Sequence, residues 1–173
     1  MTSAPPLKQA SDRGLTLRPE TPDDRPFTTR LYASVRRDEL AAVAWSEADK
    51  DIFLRQQHDA QHSHYRQHYP TAGWFIVQHN DIAVGRLYLV HWASETRIID
   101  IALVPEARRN GFGTALIADV LAEACAAARA VSIHVERMNP ALSLYRRLGF
   151  ETAEDRGVYL LLESRPGQVK IAS

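Results

Sequence analysis

One segment of the sequence constrains the fold more than any other. Between residues 97 and 130, an apolar run, a glycine-containing turn and an alanine-rich stretch follow one another. The run RIIDIALVP is rich in β-branched residues and predicts a strand. The alanine-rich stretch carries apolar residues at helical spacing and predicts a helix from about Gly111 to Arg129. A strand that feeds a helix through a short loop is typical of an α/β domain.

The rest of the chain extends this unit to the predicted order β-α-α-β-β-β-α-β-α-β-β. Thr21 and Pro22 mark the start of a first helix that runs to about Leu40, and Ser46 marks the start of a second that stops before Pro70. The other predicted strands are LTLRP, the hairpin WFIVQ-HND-IAVGRLYLVHW, VSIHVE, GFETAE and GVYLLLE. A short helix is predicted from Asn139 to Arg147. The pattern indicates one α/β domain around a mixed sheet.

Composition excludes several classes of protein. The 173 residues contain 21 Lys plus Arg and 21 Asp plus Glu, and this balance disfavours a nucleic-acid-binding protein. The N-terminus lacks the apolar stretch of a signal peptide, and no apolar run is long enough to span a membrane, which predicts a cytoplasmic protein with no membrane partner. The single cysteine, Cys125, lies in the predicted helix and is expected to be a buried, inert thiol.

The ends of the chain are predicted to lie outside the domain. Residues 1–13 are polar and contain prolines, so we expect a flexible N-terminal tail. The domain is predicted to span residues 14–163, and residues 164–173 are predicted to form a C-terminal tail.

The turn RRNGFG, residues 108–113, has the composition of an anion site. Free N–H groups at a helix start attract anions, and Gly111 and Gly113 allow an oxygen atom to approach the backbone closely. Arg108 and Arg109 add positive charge and forked hydrogen bonding. A dinucleotide fingerprint would need Gly or Ala where Leu116 stands, and no P-loop is present. The arginine pair favours a phosphate site over a glycine turn without a ligand.

A second segment, NPALSLYRRLGF, begins at Asn139. Taken alone, its residues have ordinary structural explanations. Asn139 can cap the short helix, and Tyr145 can pack in the core because it follows Ala141 and Leu142 at helical spacing.

The two segments together, R-x-x-G-x-G before a helix and N-x-x-x-x-x-Y-x-x-x-G-F after the next strand, resemble the GNAT superfamily of acyl-CoA-dependent N-acetyltransferases. The resemblance covers roughly residues 75–163. It implies a single GNAT-like α/β (α+β) domain with a mixed, mostly antiparallel, twisted sheet of six to seven strands and about four helices. It also implies acetyl-CoA as co-substrate, no metal, and direct attack by a primary amine on the thioester.

The resemblance assigns roles to individual positions. Leu103 and Val104 would pair their backbone with the pantetheine arm, and a backbone N–H near Leu103 would stabilise the oxyanion. Asn139 would bind a pantetheine amide, and Tyr145 would protonate the departing thiolate. The loop would bind the cofactor pyrophosphate through Arg108 and through the backbone of Arg109, Asn110, Gly111, Phe112, Gly113 and Thr114.

The general base is not determined by the sequence. His134 and Glu136 alternate onto one face of the VSIHVE strand, and His134 occupies a position that carries a glutamate base in some relatives. A histidine packed on the sheet explains His134 equally well. Asp100 and Glu39 are weaker candidates, and an ordered water is a further alternative. Another position where some relatives carry a base holds Arg97 here.

Two alternatives remain open at the level of function. The leading hypothesis is an N-acetyltransferase that acts on a small-molecule, peptide or protein amine, and the other is an acetyl-CoA-binding regulatory module with little or no catalysis. The acceptor cannot be named, and the resemblance is compatible with a homodimer. His58 and His62 are four residues apart, as are His64 and His68, and each pair could bind a metal from one helical face. The two pairs are rotated away from each other, so a solvated or partly packed helix explains them better than a metal site.

Overall fold

Seven strands form a single mixed sheet in the computed structural model, which describes residues 2–167. The strands are β1 (Leu15–Pro19), β2 (Gly73–His79), β3 (Ile82–His91), β4 (Glu95–Leu103), β5 (Ala130–Glu136), β6 (Glu151–Arg156) and β7 (Tyr159–Ser164). The α-helices of the described residues are α1 (Arg25–Arg36), α2 (Glu47–His68), α3 (Phe112–Ala126) and α4 (Leu142–Arg147). The predicted fold, one α/β domain with six to seven strands and about four helices, is confirmed.

The strand order across the sheet is β1-β2-β3-β4-β5-β7-β6. All neighbours are antiparallel except β4 and β5, which are parallel because α3 carries the chain back between them. The outer strand β6 is exposed along its whole length and carries three acids and one arginine in six residues. Such a charged edge discourages pairing with another chain.

The helices cover the two faces of the sheet. On one face, α3 packs Leu116, Ile117 and Val120 against inward-facing residues of the central strands, among them Ile98 and Ile133. On the other face, α1 and α2 pack against each other and over β2 and β3, where Tyr65 and Tyr69 contact a smaller cluster of Trp74, Tyr88 and Val90. The amphipathic strands are therefore buried on both sides over the middle of the sheet.

The predicted caps at Thr21 and Ser46 are present, but several helix limits differ. Helix α1 ends at Arg36 before a 3-10 segment that reaches Leu40, and α4 begins at Leu142 rather than at Asn139. Ser46 Oγ accepts the Asp49 N–H at 3.1 Å and caps α2, and the Thr21 N–H donates to Asp24 Oδ2 at 2.8 Å before α1. Helix α3 ends at Ala126 rather than near Arg129, because Ala128 adopts a left-handed conformation with φ of 53°.

The expectation that Cys125 is buried is wrong, since the thiol is exposed. Its neighbour Ala124 is the fully buried member of that helical turn. A one-residue step along a helix rotates the side chain by about 100°, which turns Cys125 away from the sheet.

The N-terminal segment, expected to be a flexible tail, lies against α3. The buried Asp119 carboxylate accepts the backbone N–H groups of Lys8, Gln9 and Ala10 at 3.1, 3.0 and 2.8 Å. A short 3-10 turn, Ser11–Arg13, then leads into β1. The predicted C-terminal tail lies partly in the described residues and, from residue 168 on, outside them.

Among residues 2–167, no helix combines the length and hydropathy needed to cross a membrane.

Candidate active site

A gap between β4 and β5 is the central feature of the candidate site. The two strands pair from Glu95 with Ala130 to Ile98 with Ile133, and the register ends there. Beyond that point β4 continues to Leu103 and β5 to Glu136 without pairing with each other. The carboxyl-terminal halves of the strands therefore present unpaired backbone edges beside the RRNGFG loop.

The alternation of hydrogen bonds between β3 and β4 shows which backbone N–H and C=O groups of β4 face this gap. The Val104 N–H donates to the Val84 oxygen at 2.9 Å, so Leu103 and Gly85 form a non-hydrogen-bonded pair. The N–H and C=O of Leu103 therefore point away from β3 and toward the gap. This orientation is the one that the predicted oxyanion role requires. The Leu103 carbonyl oxygen accepts from Arg108 Nε at 2.9 Å, and Val104 uses its N–H within the sheet.

The facing edge of β5 is oriented in the same way. The Arg137 N–H donates to the Val158 oxygen at 2.8 Å, which makes Glu136 and Tyr159 a non-hydrogen-bonded pair. The backbone groups of Glu136, and by alternation those of His134, point toward β4. The gap is thus bordered on both sides by strand edges that can pair with an extended ligand.

A β-bulge in β4, beside the gap, changes which face of the sheet the following side chains point to. Tyr88 pairs with Asp100 and Leu89 with Ile98, so Ile99 is the extra residue. Ile98 remains in the main core, whereas Ile99 packs against the cluster under α2. The bulge thereby turns Asp100 toward the helical pair.

The RRNGFG loop presents a row of unpaired donors. The Arg108 N–H bonds to the Pro105 oxygen and the Ala115 N–H to the Gly111 oxygen, at 3.2 and 3.0 Å. Between them, the six N–H groups of residues 109–114 have no acceptor in the described part of the chain. These are the same N–H groups that the family resemblance assigns to a pyrophosphate. Since they open α3, the helix dipole adds to their attraction for an anion.

The conformation of the loop depends on two residues with positive φ. Gly111 has φ of 75° and Arg109 has φ of 62°. A non-glycine residue in this region is strained by roughly 1 kcal/mol. Gly111 has a second constraint, because a Cβ at this position would lie 3.0 Å from Arg13 Nη1.

Gly113 keeps open a space between β4 and α4. A Cβ at this position would lie 3.8 Å from Leu144 Cδ2 and 3.9 Å from Leu103 Cδ1, which are ordinary contact distances. Its φ is not positive. The folded chain therefore tolerates a small side chain here, and the absence of one leaves room beside the strand edge.

Tyr145 lies on α4, next to Leu144, whose side chain lies close to Gly113. The Tyr145 ring is 4 % exposed and packs edge-on against Phe150, with centroids 5.6 Å apart. The hydroxyl has no hydrogen-bond partner within residues 2–167. Burial raises the pKa of Tyr145 above its ordinary value, and the nearby negative charge of Asp100 raises it further. The phenol is therefore held in its protonated form.

One of the two polar groups of the Asn139 side chain already has a hydrogen-bond partner. Its Oδ1 accepts the Ala141 N–H at 2.8 Å, which stabilises the turn that leads into α4. No partner of the Nδ2 group is found in the described residues, so this group remains available as a donor.

His134 lies beside Arg97 on the face of the sheet opposite α3. The Arg97 Nη1 group lies 3.1 Å from His134 Nδ1. Since a guanidinium can only donate, Nδ1 accepts and the proton of the neutral ring resides on Nε2. Burial and then the positive charge of Arg97 lower the pKa of His134. His134 is therefore neutral, but it can take up a proton only after Arg97 releases Nδ1.

The other candidate bases also have arginine partners. Asp100 accepts from the buried Arg86 at 2.5 Å. Arg36, on α1, contacts both Glu136 at 2.7 Å and Glu39 at 2.9 Å. The Arg36 contacts connect the end of β5 to the helical pair, and a cavity of about 270 Å³ opens beside them. Its lining residues are Tyr32, Arg36, Glu39, Leu40, Phe53, Leu54, Gln57 and Tyr159.

The predicted site residues lie on the elements that follow the β4–β5 separation: Leu103 at the end of β4, His134 on β5, the loop before α3, and Asn139 and Tyr145 before and on α4. The structure adds a residue that the sequence analysis missed. Arg13 Nη1 donates to the Asn110 carbonyl oxygen at 3.3 Å. No local pattern indicates this contact, because the two residues are 97 positions apart. The histidines of α2 form no metal site, and within residues 2–167 no group of three or more His, Cys, Asp or Glu side chains could hold a metal ion.

Several solved structures share the fold. A PaiA N-acetyltransferase from Thermoplasma acidophilum, crystallised with coenzyme A, superposes with a TM-score of 0.66 at 14 % identity, over 87 % of this chain and 98 % of the other. The ribosomal-protein-S18-alanine N-acetyltransferase of Escherichia coli gives 0.59 at 16 % identity, over 88 % of this chain and 94 % of the other. A chimeric spermidine N-acetyltransferase from Vibrio cholerae and hSSAT gives 0.59 at 19 % identity, over 88 % and 96 %.

Sequence comparison addresses the family directly. No curated protein matches the chain. The sequence model described as the acetyltransferase (GNAT) family matches residues 28–150, which is more than half of the chain and includes most of α1, the β4–β5 gap, the RRNGFG loop and α4. The chain therefore belongs to the acetyltransferase (GNAT) family.

Proposed function

We propose that the protein transfers an acetyl group from acetyl-CoA to a primary amine by direct attack within a ternary complex. The observation that carries this proposal is the row of free N–H groups at residues 109–114, placed where the edges of β4 and β5 separate. A pyrophosphate fits such a row, and an extended pantetheine arm fits an open strand edge. Acetyl-CoA would supply the thioester.

The residues around the gap have different roles in binding the cofactor and stabilising the transition state. Arg108 and the N–H groups of the loop hold the phosphates, and Asn139 Nδ2 donates to the pantetheine arm. The Leu103 N–H, which faces the gap, stabilises negative charge on the thioester oxygen. For the Leu103 carbonyl to accept from the cofactor as well, Arg108 has to move from that oxygen toward the phosphates.

Two protons have to move during the transfer. Tyr145, kept protonated by burial, donates to the departing thiolate. We assign to His134 the uptake of the proton from the acceptor ammonium, on the condition that Arg97 releases Nδ1. The acceptor amine enters from the cavity beside Arg36 and Tyr159, on the helical side of the gap.

The test of this function is the release of free coenzyme A thiol with a panel of amines. The panel should include peptides with free N-termini and polyamines, since fold neighbours are named for acceptors of both kinds. Turnover that depends on one acceptor class supports the proposal. Thermal stabilisation by acetyl-CoA without turnover across the panel would instead support a regulatory acetyl-CoA-binding module.

We expect Asn139 substitutions to separate capping from cofactor binding. Asn139→Ala loses the bond to the Ala141 N–H and should cost about 1 kcal/mol of stability. Asn139→Asp keeps that acceptor and loses only the Nδ2 donor. Both variants should raise the KM for acetyl-CoA, whereas only the alanine variant should unfold more easily in urea. If Asn139→Asp has a wild-type KM, the residue serves only as a cap.

We expect Arg97 to set the acidic limb of the pH profile. The pKa of His134 is lowered from its ordinary value of 6.5, so wild-type kcat/KM should stay high below pH 6.5 and fall only when the ring protonates. Arg97→Gln removes the positive charge, which raises the His134 pKa and shifts the acidic limb to higher pH. Profiles should be measured with one acceptor throughout. If the acidic limb of kcat/KM lies at the same pH in wild type, Arg97→Gln and His134→Gln, His134 is excluded as the base.

A further inference from the structure

The segment before β1 reaches the RRNGFG loop through the side chain of Arg13. Arg13 Nη1 donates to the Asn110 carbonyl oxygen at 3.3 Å. Its guanidinium also lies across Gly111, since a Cβ there would be 3.0 to 3.4 Å from Nη1, Cζ and Nη2. The side chain is otherwise exposed, so this contact does not result from core packing.

The contact determines the direction of a peptide group. In a trans peptide, the carbonyl of Asn110 and the N–H of Gly111 belong to one plane and point in opposite directions. By holding the Asn110 oxygen, Arg13 fixes the opposite direction for the Gly111 N–H, which is one of the six loop N–H groups without an acceptor in the described residues. The loop needs such a restraint because Arg109 adopts a strained positive φ beside it.

Arg13 is itself held in place through α3. Asp119 accepts three N–H groups from residues 8–10, and the Leu15 N–H donates to the Ala10 oxygen at 3.0 Å. The 3-10 turn Ser11–Arg13 lies between these two anchors. Helix α3, which begins at the loop, therefore also holds the segment 8–13 through Asp119, and this segment carries the Arg13 side chain that contacts the loop.

We propose that Arg13 is a positioning residue for the cofactor loop and that the segment 8–13 forms part of the acetyl-CoA site. This inference rests on the proposed function, because it assumes that the N–H row binds the cofactor phosphates. Arg13 acts through the Asn110–Gly111 peptide and does not contact the phosphates. The variant Arg13→Met keeps the length of the side chain and removes the donor.

The test is titration calorimetry of acetyl-CoA with wild type, Arg13→Met and Arg13→Lys, at low and at high salt. Arg13→Met should raise the Kd about three- to tenfold, as expected for the loss of one hydrogen bond, and by the same factor at both salt concentrations. Arg13→Lys should recover most of the affinity, because its ammonium can also donate to the Asn110 oxygen. In turnover, Arg13→Met should raise the KM for acetyl-CoA and leave kcat unchanged.

Two controls complete the experiment. Arg165→Met removes the same charge at the end of β7, which adjoins the start of β5 and is remote from the loop, so it should bind acetyl-CoA as wild type does. Asp119→Asn releases the anchor, and combining it with Arg13→Met should weaken binding no more than Asp119→Asn alone.

The outcomes are distinguishable. If wild type does not bind acetyl-CoA, the proposed function fails. If wild type binds and Arg13→Met binds equally well, only the role of Arg13 is overturned. A difference between these two proteins that disappears at high salt would also overturn it, because screening by salt indicates a direct charge contact with phosphate.

Discussion

Tyr145→Phe is expected to lower kcat about 100-fold, within the usual range for the loss of a general acid. The substitution removes only the hydroxyl, which has no hydrogen-bond partner in the described residues. The ring keeps its edge-on contact with Phe150 and its place in the core. Acetyl-CoA affinity should change little, because the loop and the strand edge hold the cofactor.

The pH dependence provides a second measurement on the same variant. Because burial raises the pKa of Tyr145, the phenol stays protonated through neutral and mildly alkaline pH. Any alkaline fall of kcat that arises from Tyr145 should therefore lie above the ordinary tyrosine pKa of 10 and be absent in Tyr145→Phe.

Thermal denaturation is the control for Tyr145→Phe, and its midpoint should stay close to that of wild type. A variant with near wild-type kcat would show that water or the acceptor supplies the proton. Tyr145 would then act only as an aromatic residue that packs α4 against the sheet.

Gly113→Val is expected to raise the Kd for acetyl-CoA about 30-fold, which corresponds to roughly 2 kcal/mol, in the range for overfilling a packed space. The Cβ would point between Leu103 and Leu144, beside the strand edge that the pantetheine arm is proposed to follow. The added methyl groups of valine would occupy that space.

Gly113→Ala is the matched control for fold stability. Gly113 lies in the first turn of α3 with ordinary φ, so alanine should maintain or increase the melting temperature. Affinity should decrease from glycine to alanine to valine. Unchanged affinity in Gly113→Val would contradict the placement of the cofactor in this gap. Gly111→Val is less informative, because it also conflicts with the positive φ and with Arg13.

Local patterns in the sequence predicted the elements well. The apolar run GVYLLLE predicts β7, whose Leu160 and Leu162 are buried. The cap at Ser46 predicts the start of α2. These predictions succeed because a strand or a helix start depends on residues a few positions apart. The end of α3 was predicted less well, since a left-handed alanine carries no compositional signal.

The candidate site was predicted in its residues but not in their contacts. The resemblance indicated the loop, Leu103, Asn139 and Tyr145, and the structure places them on β4, at the start of α3, and before and on α4. The binding and catalytic roles of these residues stay predictions. The Arg97–His134 contact, which adds to burial in lowering the pKa of the histidine, joins residues 37 positions apart on two strands.

The sequence by itself determined the order of the elements, the prediction of an anion site at the RRNGFG loop and the family resemblance, because these depend on residue types at short spacing. Only the tertiary structure decided that β4 and β5 separate after Ile98 and Ile133, that arginines contact His134, Asp100, Glu136 and Glu39, and that Arg13 donates to the Asn110 oxygen. The physical reason is that the sheet order β1-β2-β3-β4-β5-β7-β6 brings together side chains that are far apart in the sequence. Local sequence patterns cover only a few neighbouring positions, so they cannot predict these contacts.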